Sequence, residues 1–213
     1  QRRRQLTMSR CRTLFSTSLL CLLLAGCASA PRMDAPVNAD WQARHALLEA
    51  LTLWEFTGRI GVRDDKESHS SRIRWQQQGE NYVINLWGTL NAGATEITGR
   101  PGEVILEQEG EPRLTAASAE DLVREQLGYE LPVAQLTYWI KGIPAPAGQS
   151  SPTFNAEQHL ISLEQDGWLV QYLGYTNYAA ESLPTRIRIE KPPLRLDFVR
   201  LDWTLQTSTP IAP

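Results

Sequence analysis

Leu194, Leu196 and Phe198 hold even positions near the end of this chain, and Val199, Leu201, Trp203 and Leu205 hold odd ones. Alternation with period two marks a strand with one face buried, because successive side chains point to opposite faces. A change of parity inside one run would turn the buried set outward unless an extra residue is inserted, which is what a β-bulge does. The last strand therefore predicts a bulge, and bulges bend strands in curved sheets. The same alternation recurs upstream. Trp54, Phe56, Ile60 and Val62 oppose Glu55, Thr57, Arg59 and Arg63, with Gly58 and Gly61 allowing the run to curl. Ile73 and Trp75, then Tyr82, Ile84 and Leu86, then Val104 and Leu106 after a Pro101-Gly102 turn, read likewise. Residues 159–164 and 168–174 flank Asp166-Gly167, a hairpin dipeptide, and Ile187 and Ile189 alternate with Arg186, Arg188 and Glu190.

Helical spacing interrupts the strands. Ser118 is placed to cap a helix with Ala119, Leu122, Val123 and Leu127 on one face, ended by Gly128. Pro132 opens a second, with Val133, Leu136, Thr137 and Ile140 on one face and Gly142 and Pro144 as stops. An earlier helix, capped by Asp40, carries Trp41, Leu47, Leu48 and Leu51. The expected class is mainly β (α+β), a strongly curved antiparallel sheet with helices on its concave side.

Before these elements, Arg10 and Arg12 precede an apolar run from Leu14 to Ala25, and no acidic residue occurs before Asp34. The run is too short for a spanning helix and has the layout of a secretory signal. It ends Leu24-Ala25-Gly26-Cys27, which resembles the bacterial lipobox: cleavage is expected between Gly26 and Cys27, and acylation on Cys27. Three acyl chains make an anchor that does not release unaided. Ala28, where lipoproteins kept at the inner membrane typically carry Asp, points to the outer membrane by that resemblance. Met8 is read as the true start, residues 1–26 as the signal, 27–39 as lipidated end and flexible tether, 40–206 as one domain, and 207–213 as a disordered tail.

Residues 1–26 hold five arginines and no acid, so beyond them 16 basic residues face 24 acidic ones, a net charge near −8. That balance counts against nucleic acid and against electrostatic docking on anionic lipid. With Cys11 and Cys21 in the signal and Cys27 acylated, no cysteine is left for a disulfide, a zinc site or a nucleophile. His45, His69 and His159 have no mutual spacing, read as a helix, a polar turn and a strand start, and predict no metal site. No nucleophile elbow, phosphate loop or zinc-protease motif occurs, so neither an enzyme nor a cofactor is expected. Arg59, Arg72 and Arg74 could bind an anion and are read as polar-face residues.

Seven tryptophans leave two interiors open, a well-filled core or a sheet that wraps an apolar cavity. Residues 86–94 keep Trp87 and Leu90 among Gly, Ala and Asn where a loop is expected. An apolar tip on an uncharged loop is a candidate for touching a membrane or partner, unless Leu90 folds back on the sheet rim.

Several segments together give a family likeness: Phe56-Thr57-Gly58-Arg59-Ile60-Gly61-Val62, Trp75-Gln76-Gln77, the loop at 86–93, Trp139-Ile140-Lys141-Gly142-Ile143-Pro144, and Trp168-Leu169-Val170-Gln171-Tyr172 with the final strand. In this order, behind a lipobox, the chain resembles the LolB family of outer-membrane lipoprotein receptors over roughly 41–205. The resemblance implies an unclosed antiparallel β-barrel around an apolar cavity. It implies a lipid-anchored monomer on the periplasmic face of a Gram-negative outer membrane. Such a protein accepts lipoproteins from a soluble LolA-type carrier, holds their acyl chains and inserts them among outer-membrane phospholipids. The family's protruding leucine, often between Pro and Gly, corresponds to Leu90, here between Thr89 and Asn91. Trp87 and Leu90 are thus the expected insertion loop. Trp54, Phe56, Ile60, Trp75, Ile84, Leu86, Leu122, Leu136 and Ile140 are the expected acyl-cavity lining. The rival reading is a structural envelope-assembly lipoprotein with a filled core and protein-only contacts.

Overall fold

The structure, a computed structural model, describes residues 39–88, 94–178 and 181–205. Helix α1 (Ala39–Ala50) leads into strands β1 (Leu53–Arg63), β2 (Ser68–Gln78), β3 (Asn81–Trp87), β4 (Thr95–Arg100), β5 (Glu103–Gln108) and β6 (Leu114–Ala116). Helices α2 (Ala119–Leu127) and α3 (Val133–Trp139) follow, then β7 (Ser150–Phe154), β8 (Leu160–Gln165), β9 (Trp168–Tyr178), β10 (Glu181–Lys191) and β11 (Leu194–Leu205). All eleven strands pair antiparallel in one sheet of order β6-β5-β4-β3-β2-β1-β11-β10-β9-β8-β7. Two meanders are joined where the first strand meets the last.

The strongly curved, barrel-like sheet expected from the sequence is not what forms. The order is linear, and the edge strands β6 and β7 do not pair with each other. Alternation fixes which face of a strand is buried but not how far a sheet rolls. The bending devices act locally: register breaks occur opposite Gly58, near Pro184 and beside Phe154, while β1–β2, β2–β3, β3–β4 and β4–β5 run unbroken. Both edges are short, and β7 carries Pro152, features that discourage edge-to-edge association.

The bulge expected in β11 is present. Between Thr57 and Arg59 on β1, paired with Asp202 and Val199, β11 has one residue too many, and Arg200 takes a φ of +57°. Buried residues accordingly switch from Leu194, Leu196 and Phe198 to Leu201 and Trp203, with Val199 half-buried. Ser118 caps α2 by accepting the backbone N–H of Asp121, and Gly128 ends it at φ +72°. Asp40, expected as the cap of α1, lies one residue inside the helix.

The core lies on the sheet face that carries α2 and α3. Trp54, Phe56, Trp75 and Trp203 pack with ring centroids 5.1–6.0 Å apart. Farther along, Trp139, Ile140 and Ile143 are fully buried, as are Leu160 and Leu163 of β8. Gln165 ties this region down. Its amide oxygen accepts from Trp139 Nε1 (2.8 Å) and the Ala145 N–H (3.0 Å), and its amide nitrogen donates to the carbonyls of Ala145 and Ala147. Tyr172 donates its hydroxyl proton to the Trp139 carbonyl at 2.9 Å.

Candidate functional site

Between α2 and the sheet, the helix-facing side is less tightly filled. A pocket of about 170 Å³ lies there, walled by Ile60 and Val62 of β1, Ile73 and Trp75 of β2, and Tyr82, Ile84 and Leu86 of β3. Ile97 of β4 and Leu194, Leu196 and Phe198 of β11 extend the floor. Ala119, Leu122 and Val123 of α2, Tyr129 and Leu131 of the helix connection, and Val133 and Leu136 of α3 form the roof. The period-two runs put these strand residues on one face, and the α2 face follows from its i, i+3, i+4 spacing.

Every wall residue is apolar or aromatic, and the few polar atoms among them are mostly engaged. Trp75 Nε1 donates to Gln77 Oε1 at 2.9 Å. The Tyr129 hydroxyl donates to Asp64; this bond, then the backbone N–H groups of Glu67 and Lys66, hold the Asp64 carboxyl down at about 2. The Tyr82 hydroxyl is buried without a partner among the described residues, and burial, then the Glu120 charge, push its pKa up to about 12. Apart from the Tyr82 hydroxyl, such a lining suits hydrocarbon.

Of the residues expected to line a cavity, Ile60, Trp75, Ile84, Leu86, Leu122 and Leu136 come together here. Trp54, Phe56 and Ile140 do not: they belong to the filled part of the core. The described interior is thus a filled core with one small apolar pocket beside it. Ile97 went unforeseen because β4 holds no other large apolar residue, and Tyr129 and Leu131 lie outside any periodic run. The signal for Leu194, Leu196 and Phe198 was present in their shared parity.

Trp87, half-buried, ends β3. It borders a wider depression of about 650 Å³ on the opposite sheet face, whose Arg74, Asn85, Glu96, Glu107 and Glu109 make it charged and solvated. Leu90, Gly26, Cys27, the tether up to residue 38 and the tail lie outside the described residues, and Ala39, expected in the tether, begins α1. The histidines do not converge: His45 is on α1, His69 lies in β2 rather than a turn and contacts Glu67, and His159 stacks on Tyr175. Among the described residues no helix is long and apolar enough to cross a membrane.

Residues 52–203 match the family described as outer membrane lipoprotein LolB. The outer-membrane lipoprotein LolB of Pseudomonas putida KT2440 is 40% identical over 191 residues, 88% of this chain and 93% of that protein. That of Stutzerimonas stutzeri A1501 is 42% identical over 188 residues, covering 86% and 91%. Two solved structures share the fold at low identity. A LolA-superfamily protein from Nitrosomonas europaea has a TM-score of 0.51 at 10% identity, covering 77% of this chain and 94% of its own. An outer membrane lipoprotein-sorting protein domain from Vibrio parahaemolyticus has 0.52 at 7%, covering 81% and 93%. The match over most of the domain, with relatives well above 30% identity, is decisive: this chain belongs to the LolB family of lipid-anchored outer-membrane lipoproteins, whose role is lipoprotein sorting and not catalysis.

Proposed function

We propose that the protein is a receptor on the periplasmic face of the outer membrane that takes lipoproteins from a soluble LolA-type carrier. It shelters their acyl chains in the pocket beneath α2 and delivers them into the bilayer. The observation that carries this reading is the pocket itself, walled by apolar residues from β1–β4, β11, α2 and α3 on a chain of a lipoprotein-sorting family. A triacyl anchor of about 45 methylenes exposes surface worth roughly 35 kcal/mol at ~0.8 kcal/mol each, so a protein that moves one through water must cover it.

The pocket as it stands is too small for that cargo. Its 170 Å³ compares with the ~150 Å³ apolar cavity that admits one benzene. Entry of whole chains therefore needs α2 to lift from the sheet. The helix is short and its outward residues Arg124, Glu125 and Gln126 are exposed. Its first turn is tied to α3 by Glu120, which accepts the Ala134 N–H at 2.7 Å. Hand-over then runs downhill, toward the site that binds the chains more tightly. Cys27 carries the receptor's own anchor, residues 28–39 give it reach, and Leu90 with Trp87 eases insertion.

A titration tests the reading. The mature chain with Cys27→Ala should take up a hydrophobic fluorescent probe and release it to a triacylated peptide. No uptake under any condition would favour the structural-lipoprotein alternative. Leu90→Glu should still accept lipoprotein but release it poorly into liposomes. Equal release would remove the loop from the mechanism.

A further inference from the structure

The sheet face opposite the pocket carries arginines that the acyl-chain reading leaves unused. On β1, Arg59 and Arg63 flank Gly61, and Ser70 of β2 pairs with that glycine. Arg72 of β2 stands directly opposite Arg59; Val199 of β11 pairs with Arg59 on its other side and with Arg186 of β10 beyond. The side chains of Arg59, Arg63, Arg72 and Arg186 are exposed and make no ion pair or hydrogen bond among the described residues. Two acids on this face are held by other arginines: Glu55 holds Arg74 at 2.7 Å, and Asp197, the β11 partner of Gly61, holds both Arg188 and Arg195 at 2.8 Å.

Like charges directly opposite on neighbouring strands are destabilising, and Arg59 and Arg72 sit about 5 Å apart at the backbone. Arg59 and Arg63 are about 13 Å apart along the strand, and Gly61 is the one residue between them on that face. A Cβ on Gly61 would meet nothing nearer than 3.9 Å, the nearest side chain being Asp197, whose carboxylate is neutralised by Arg188 and Arg195. Arginine forks pair with the oxygens of a phosphate two at a time. The row continues to Trp87, the pairing partner of Arg72 at the end of β3, and tryptophan favours the bilayer interface.

We propose that this face, centred on Gly61, binds the phosphate groups of anionic phospholipid in the bilayer that receives the cargo. The net charge near −8 beyond the signal argued against such docking, but net charge does not report how charges are placed. The inference deepens the proposed function and rests on its placing release at a membrane.

The test uses the mature Cys27→Ala chain and sedimentation with phosphatidylcholine vesicles, with and without a quarter phosphatidylglycerol. Binding should require the anionic lipid and weaken with salt. Arg59→Gln, Arg63→Gln and Arg72→Gln together should weaken it about 100-fold, roughly fivefold per arginine. The matching Arg→Lys triple, which keeps the charge but not the fork, should bind more tightly than the glutamine triple and more weakly than the parent, and probe uptake should be unchanged in both. Equal vesicle binding by the glutamine triple would overturn the proposal. So would normal vesicle binding with impaired transfer from the soluble carrier, because the face would then dock a protein. Charge-dependent vesicle binding by a chain that takes up no probe would uphold this inference while sinking the acyl-chain reading.

Discussion

Gly58 lies against the bulge at Arg200, so closely that a Cβ on the glycine would stand 3.1 Å from the Arg200 carbonyl oxygen. It would also come within 3.1 Å of the Val199 carbonyl and 2.8 Å of Leu201 Cδ2. Two of these three neighbours are backbone and cannot swing aside. Gly58→Ala is therefore expected to destabilise the fold by about 1–3 kcal/mol, as overpacking does. Arg200→Gly, which relieves a non-glycine residue at φ +57°, should be neutral or mildly stabilising. Urea midpoints of the two variants check both; a Gly58→Ala midpoint equal to that of the parent would mean the bulge is not held closed.

The two regions of the interior should respond differently to substitution. Ala119 of α2 faces the pocket, so Ala119→Phe places a ring in existing space. It should lower hydrophobic-probe affinity at least tenfold while changing stability by about 1 kcal/mol or less. Ile140→Ala, in the filled region, should cost about 2–5 kcal/mol and leave probe affinity alone. Parallel probe titrations and denaturation curves distinguish the pair.

Gln165 is 1% exposed and joins α3, the stretch after it and β8 through four hydrogen bonds. Leucine has nearly its size but none of its polar atoms. Gln165→Leu would strand the Trp139 indole N–H, the Ala145 N–H and two carbonyls, and should cost about 2–4 kcal/mol. Gln165→Glu keeps the acceptor but loses the donors, and it should destabilise most at neutral pH, where the carboxylate is charged. Thermal melts at pH 5 and pH 8 measure the difference.

The residues that made strands legible were those with a strong apolar period, such as Trp54 and Phe56 or Ile187 and Ile189. β4, β6 and β7 escaped because they lack it: β4 has Ile97 alone, β6 is three residues long, and β7 holds a proline. β6 and β7 are the edge strands, and exposed apolar edges invite aggregation, so weak patterning there follows from the fold itself; β4 lies inside the sheet and is weak only in having one large apolar residue. The pocket wall was partly legible for the same reason that the filled core could not be told from it. Phe56 and Ile60 share a strand face, and what packs above each decides whether the space is occupied: aromatic rings crowd Phe56, while Ile60 faces the pocket. Sheet curvature was the wrong inference. Gly58 and the β11 parity change report one local bulge, and how far eleven strands roll together depends on contacts that no single strand encodes.

Lys141 gives the protein a pH dependence of its own. It is 5% exposed, and desolvation lowers its pKa to about 8, partly offset by the Glu49 charge, while its ammonium donates to the Leu51 carbonyl at 3.1 Å. Between pH 8 and 10.5 the unfolded chain holds this proton and the folded chain has largely lost it. Stability should therefore rise with pH across that window, because the state binding more protons is disfavoured as protons become scarce. Below about pH 8 the buried charge carries its full penalty, on the order of 3 kcal/mol at 1.36 kcal/mol per pH unit. Lys141→Met removes the charge but leaves the Leu51 carbonyl without this donor, which costs about 1–3 kcal/mol, so the net change at pH 7 should be small. The slope is the diagnostic quantity. Urea denaturation at pH 7, 8, 9 and 10 should show a rise for the parent relative to Lys141→Met, and parallel curves would mean that the ammonium is hydrated in the folded protein.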